Sequence, residues 1–220
     1  MLNVEEFVCP EVRVAICHVK EAIRIVLHTL MVCRSIGGHR PVEPRSCSSE
    51  VLDLAFMATD EPEAEQEIEA RARQFSELFE GSLANTGRAQ LVFSFYTTKS
   101  RKQSIWNILV GSDEKIVFEQ WRFPVVIQPL RRYPNPADNL KEESNSQVWA
   151  AQQTQQALQF VIGKVNSKVD HLPPAPQTQA AYKFDITFAS LDGRDLGGGI
   201  LPQGFGSSIS QTMKNIPKIG

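Results

Sequence analysis

The sequence is poor in cysteine, and the four it has, Cys9, Cys17, Cys33 and Cys47, fall in the first quarter of its 220 residues with no C-x-x-C spacing. A zinc knuckle and a redox pair are therefore not suggested. Isolated cysteines of this kind act as small hydrophobes, reduced inside a cell. His18, His28 and His39 bring no metal-ligand spacing to them, so no metal and no cofactor is expected. A basic excess is also missing, with 23 Lys and Arg against 25 Asp and Glu and a net charge of −2. Phosphate-backbone binding would leave such an excess, and nucleic acid is not an expected partner. No apolar run approaches the roughly 20 residues that span a bilayer. Met1 to Glu6 lacks the basic start and apolar stretch of a signal peptide. The expected setting is the cytoplasm.

Catalytic patterns are missing as well. Neither the G-x-S-x-G elbow nor the zincin H-E-x-x-H occurs, and the glycines between Asp192 and Gly206 are not followed by the G-K-[ST] of a phosphate loop. The neighbouring carboxylates Glu142 and Glu143 fall in a stretch expected to be exposed, where nothing would raise a pKa for acid catalysis. The chain is not expected to be an enzyme. A cysteine-dependent enzyme using Cys17, Cys33 or Cys47 is the weaker alternative.

What is present is an ordinary globular composition, 42% apolar and 22% charged, with clear periodicities. Val12 to Ile16 alternates at period two and predicts a strand. Val19, Ala22, Ile23, Val26, Leu27, Leu30 and Met31 recur at helical spacing, and Ile25, Val32 and Cys33 widen the stripe, so this helix should be packed on more than one side. Gly37-Gly38 supplies its stop. The segment from Arg40 to Glu50 reads as a loop before a strand over 51–58. Asp60-Glu61-Pro62-Glu63 then combines a cap, an early proline and an acidic first turn, starting a helix with Ile68, Ala72, Phe75, Phe79 and Leu83 on one face. Two long strands follow, over 90–97 and 115–128, and Pro124 in the second calls for a bulge or a break in pairing. Residues 129–144 read as an exposed connection, 147–169 as a third helix with a glutamine-rich polar face, and 182–188 as a strictly alternating strand. A Gly-rich link and a short strand near 207–213 close the chain. A helix layer on an antiparallel sheet accommodates this order, which makes the class α+β with three helices, in one domain over 1–220.

Between the two long strands lies an apolar island, Ser104-Ile105-Trp106-Asn107-Ile108-Leu109-Val110, flanked by polar residues on both sides. A loop crossing the surface does not need a tryptophan. The island either folds back on the core or is offered to a partner.

Several segments, in order, resemble the autophagy-related protein 101 family of HORMA-domain proteins: Val26 to Gly37, Phe95-Tyr96 with Lys99-Ser100-Arg101, Phe118-Glu119-Gln120-Trp121, His171-Leu172-Pro173, Tyr182-Lys183 and Ser208 to Lys214. The resemblance implies a HORMA-like fold and a non-enzymatic scaffold of the kinase complex that initiates autophagy, at the phagophore assembly site. It also implies pairing with the HORMA domain of autophagy-related protein 13, near the end of the first helix, with Arg34 and Ser35 as contact residues. Family members carry a protruding Trp-Pro-Phe finger that recruits downstream factors, and the matching residues here are Trp106, Asn107 and Ile108. Here the tryptophan stands without the proline that would stiffen the loop and without the second ring. A peptide-clamping HORMA adaptor of the checkpoint or DNA-repair type, gripping an extended segment by strand addition, is the alternative on the same fold.

Overall fold

A computed structural model describes residues 4–35, 42–81, 87–99, 114–174, 182–190 and 195–197. In chain order the elements are β1 (Glu5–Val8), β2 (Val12–Val14), α1 (Ile16–Ser35), β3 (Pro44–Ser49), β4 (Leu54–Thr59), α2 (Pro62–Gly81), β5 (Arg88–Lys99), β6 (Glu114–Ile127), α3 (Pro136–Ser167), β7 (Lys183–Ala189) and β8 (Asp195–Gly197). The class is α+β and HORMA-like, with three helices among the described residues and a sheet whose central strands are antiparallel. Sheet order is β1-β6-β5-β7-β8, and β2 adds to the same edge of β6 as β1. Both β1 and β2 run parallel to β6, so the sheet is mixed at that edge. A separate hairpin pairs β3 with β4.

The registers Phe95↔Glu119, Phe93↔Trp121, Leu91↔Phe123, Leu91↔Phe188 and Phe93↔Ile186 put these residues on one face of the sheet. The helices pack there: Phe75 of α2 lies 5.4 Å from Phe188, and Phe160 of α3 meets Trp121 edge-on at 6.5 Å. α1 lies between α2 and α3 and is buried on most of its circumference, as its wide apolar stripe requires.

Several local expectations need correction. Ile16 starts α1 rather than ending a strand, because the apolar stripe behind it continues at helical spacing. Residues 44–49, expected as loop, form β3, where Pro44, Ser46 and Ser48 are exposed and only Ser49 is buried, so there is no apolar alternation to read. They are strand only because β4 pairs with them, and that hairpin turns through Asp53 at φ 50°, a conformation aspartate tolerates. α3 begins at Pro136, well ahead of position 147. Asn135 accepts from the Ala137 N–H at 3.1 Å and Pro136 occupies the first turn, a start signal that outweighs the polar composition. Tyr133 is fixed to the same turn through both its backbone groups by Asn139. β8 falls inside the expected Gly-rich link, while 207–213 lies outside the described residues.

Pro124 breaks no pairing with β5, where Gln90↔Pro124 continues the ladder and the irregularity falls at Phe95/Tyr96 instead. Ile127 donates its N–H to Gly87 on the β5 side, whereas Arg122 accepts from Cys9 and Gln128 donates to Val14 on the other side. Even-numbered residues of β6 thus face β1 and β2. Pro124 has no N–H to offer there, and it sits in the gap between the end of β1 at Arg122 and the start of β2 at Val125.

Candidate protein-binding surface

Arg34 and Ser35, expected as partner contacts, both turn inward at the end of α1. Ser35 Oγ donates to Met31 O at 2.7 Å. Arg34 forms a two-pronged ion pair with Glu119 of β6, Nε to Oε1 and Nη2 to Oε2, both at 2.9 Å, with 3% and 0% of the two side chains exposed. Such a planar fork is the geometry in which guanidinium and carboxylate bind most strongly.

Glu119 is the hub of a larger arrangement. Trp121 Nε1 donates to Oε1, and His171 Nε2 lies 2.6 Å from Oε2. The carboxylate only accepts, so the His171 proton in this contact is on Nε2. Arg34 reaches past the carboxylate as well, to the carbonyls of Val165 and Lys168 at 3.4 Å each. Those belong to the last turn of α3 and the residue after it, where helix carbonyls have no partner of their own. One cation therefore sits at the negative ends of α1 and α3 together, where both helix dipoles favour it. Phe7 of β1 stacks on Trp121 at 4.3 Å and closes the hub from the strand side. All the strong acceptor directions of Glu119 are taken by partners within the chain.

The outward part of this region belongs to α3. From Ser144 to Gly163 the chain has twenty residues without one Asp, Glu, Lys, Arg or His. These span about 30 Å of helix. Ala150, Thr154, Ala157, Val161 and Val165 point into the core. Leu140, Val148 and Ile162 are exposed beside that face, as is Val169 just past the helix end. Exposed helix faces normally carry charge, and depletion of charge marks the centre of protein interfaces. Trp149, on the other flank, is 43% exposed yet tied down, with its indole N–H donating to Arg13 O at 3.0 Å while Gln153 Oε1 accepts from the Arg13 N–H at 3.3 Å. Two side chains of α3 thus stand in for the strand that would otherwise pair with the outer edge of β2.

Burial pushes the thiols of Cys9, Cys17 and Cys33 up, away from the thiolate that nucleophilic catalysis needs. A hollow of about 300 Å³ between α1 and α2 is lined by Lys20, Glu65, Glu69 and Arg73. Its acids are already engaged: Glu69 with Lys20 and Arg24, Glu65 with Arg45. Among the described residues no group of three His, Cys, Asp or Glu is placed to hold a metal, and no helix is long and apolar enough to cross a membrane.

Trp106, Asn107 and Ile108 lie outside the described residues. The strand ends on either side of them are described, and Lys99 and Glu114 face each other as a pair.

Sequence reasoning missed Glu119, His171 and the meaning of the charge-free stretch. For Glu119 a signal existed: it shares the parity of Trp121, Phe123 and Val125, so a carboxylate was being placed on the core face of an apolar strand. For α3 the absence of charge was on view, but the glutamines were read as an ordinary solvated face.

Comparison with known proteins places these features. The family model for autophagy-related protein 101 matches residues 11–179. The autophagy-related protein 101 of Arabidopsis thaliana is 28% identical over 200 residues, covering 86% of this chain and 89% of its own length. The matched region takes in α1, Arg34, Glu119, His171 and the whole of α3, and a model match over so much of the chain shows that it belongs to the autophagy-related protein 101 family.

Proposed function

We propose that this chain is a non-catalytic scaffold subunit of the kinase complex that initiates autophagy, working in the cytoplasm at the phagophore assembly site as one HORMA domain over residues 1–220. It pairs with the HORMA domain of autophagy-related protein 13 and stabilises it. The observation that carries this reading is the charge-free run of α3 from Ser144 to Gly163; past it, Lys164 and Lys168 flank the helix end that the Arg34–Glu119 hub ties to the end of α1. Arg34 and Ser35 serve that surface from inside, by fixing the end of α1, and Ile162 and Val169 supply exposed apolar contact beside it. The segment that contains Trp106, Asn107 and Ile108 recruits downstream autophagy factors.

Light scattering on the mixed proteins tests the pairing. A complex of one copy each is expected, with an interface near the standard ~1,600 Å² of total buried area. Separate monomers at micromolar concentration would refute it. Ile162→Lys places a charge on the exposed apolar part of the proposed contact and is expected to weaken binding by at least about tenfold while leaving the thermal midpoint of the free chain unchanged.

A further inference from the structure

The hub joins the ends of two helices, and its arms differ in how they reach it. Arg34 and Glu119 are enclosed, whereas His171 stands on the turn after α3 with 13% of its side chain exposed. Arg34 meets the carbonyls of Val165 and Lys168 at 3.4 Å, near the limit of a hydrogen bond. The His171 to Glu119 contact is 2.6 Å and charge-assisted, and so is the strongest tie between the end of α3 and the hub. Other ties of this turn include Leu172 N–H to Val169 O, Tyr182 hydroxyl to Pro173 O, an ion pair between Lys168 and Glu5 at 3.6 Å, and the ring contact of His171 with Phe7 at 6.1 Å. None of these reaches α1.

We propose that His171 is a positioning residue for the α3 surface: through Glu119 it fixes the end of α3 against the end of α1. The proposal takes its partner from the reading above, but the positioning itself does not depend on that partner. A helix surface is complementary to a partner only while the end of the helix is held in place against the core. A turn that must be ordered during binding subtracts its ordering entropy from affinity. His171 removes that cost beforehand, by a single bond from a residue that need not touch the partner.

His171→Ala and His171→Gln in the full chain test this, because the glutamine amide can donate to Glu119 and alanine cannot. Amide hydrogen exchange is read in the free protein, and affinity is read by titration with the HORMA domain of autophagy-related protein 13. In His171→Ala, exchange over 165–172 is expected to rise about tenfold with β5 and β6 unchanged, and affinity to fall about tenfold, the scale of one hydrogen bond to a charged group. His171→Gln is expected to restore both to within about threefold. Unchanged exchange in the alanine variant overturns the proposal, as does exchange that rises equally across β5 and β6, or failure of glutamine to rescue. If the wild-type chain does not bind, the partner reading fails and exchange alone decides the positioning. If the wild type binds and exchange responds but affinity does not, His171 orders the turn without serving the binding surface, and the proposal is overturned while the partner reading stands.

Discussion

Glu119→Gln offers the sharpest test of the energetics, because it changes one oxygen for an amide in a site with no exposure. The side chain keeps its volume, so no cavity term enters; the charge is lost, and an NH2 donor replaces an acceptor oxygen that faces two donors. Arg34 is then left as a cation with 3% of its side chain exposed, its remaining partners being two carbonyls at 3.4 Å and an amide oxygen. Breaking a buried pair by neutralising one member costs about 3–5 kcal/mol, since the other charge stays desolvated without compensation. Against a total stability of about 5–15 kcal/mol the variant should still fold. Its thermal midpoint should drop by about 6–20 °C at the scale of 2–4 °C per kcal/mol for a chain of this size. Urea titration of wild type, Glu119→Gln, Arg34→Met and the double variant gives the cycle. Removing both charges should recover most of the loss, because the double variant leaves no unpaired charge. A single-variant cost below about 1 kcal/mol, the value of a surface pair, would refute the argument. So would a double variant no more stable than either single one.

Other expectations follow from burial and from the helix starts. Burial depresses the imidazole pKa values of His18 and His28, whose Nδ1 atoms have no hydrogen-bond partner among the described residues, so the unfolded chain binds protons more readily than the folded one. This stability is fully present above the ordinary histidine value of about 6.5 and is lost as pH falls below it; urea midpoints from pH 7.5 to 5 should decline, and His28→Gln should flatten the slope. Asn135→Ala removes the cap of α3 and should cost about 1 kcal/mol, read as a shift in urea midpoint; an unchanged midpoint would mean that the cap contributes nothing. Trp106→Ala should change stability by about 0.5 kcal/mol or less while abolishing capture of downstream factors, whereas a loss of about 3–5 kcal/mol would place this tryptophan in the core.

The parts of the fold that were legible in the sequence are those set by local periodicity. α1 shows its wide stripe in Val19 to Met31, α2 its capped and acidic start, and β7 its strict alternation. β3 was not legible, because Pro44 to Ser49 has no apolar rhythm and becomes a strand only against β4. β1 is four residues long and gains its structure from pairing with β6. Asn135-Pro136 did signal the true start of α3, but the charged residues behind it read as a loop. Pro124 carried a correct warning about a missing donor; which neighbour would do without that donor depended on strands more than a hundred residues away.

The site divides in the same way. The charge-free run from Ser144 to Gly163 is a property of the sequence alone, as are the scarcity of thiols, the missing catalytic patterns and the family resemblance. Only the tertiary structure decided that Arg34 faces inward, that Glu119 receives it, and that His171 arrives at the same carboxylate from 52 residues further along. The physical reason is that periodicity reports which face of an element is buried, while an ion pair or a hydrogen bond requires two faces to meet at about 3 Å. That meeting is set by how α1, β6 and the end of α3 pack together, and no single segment of the chain contains it.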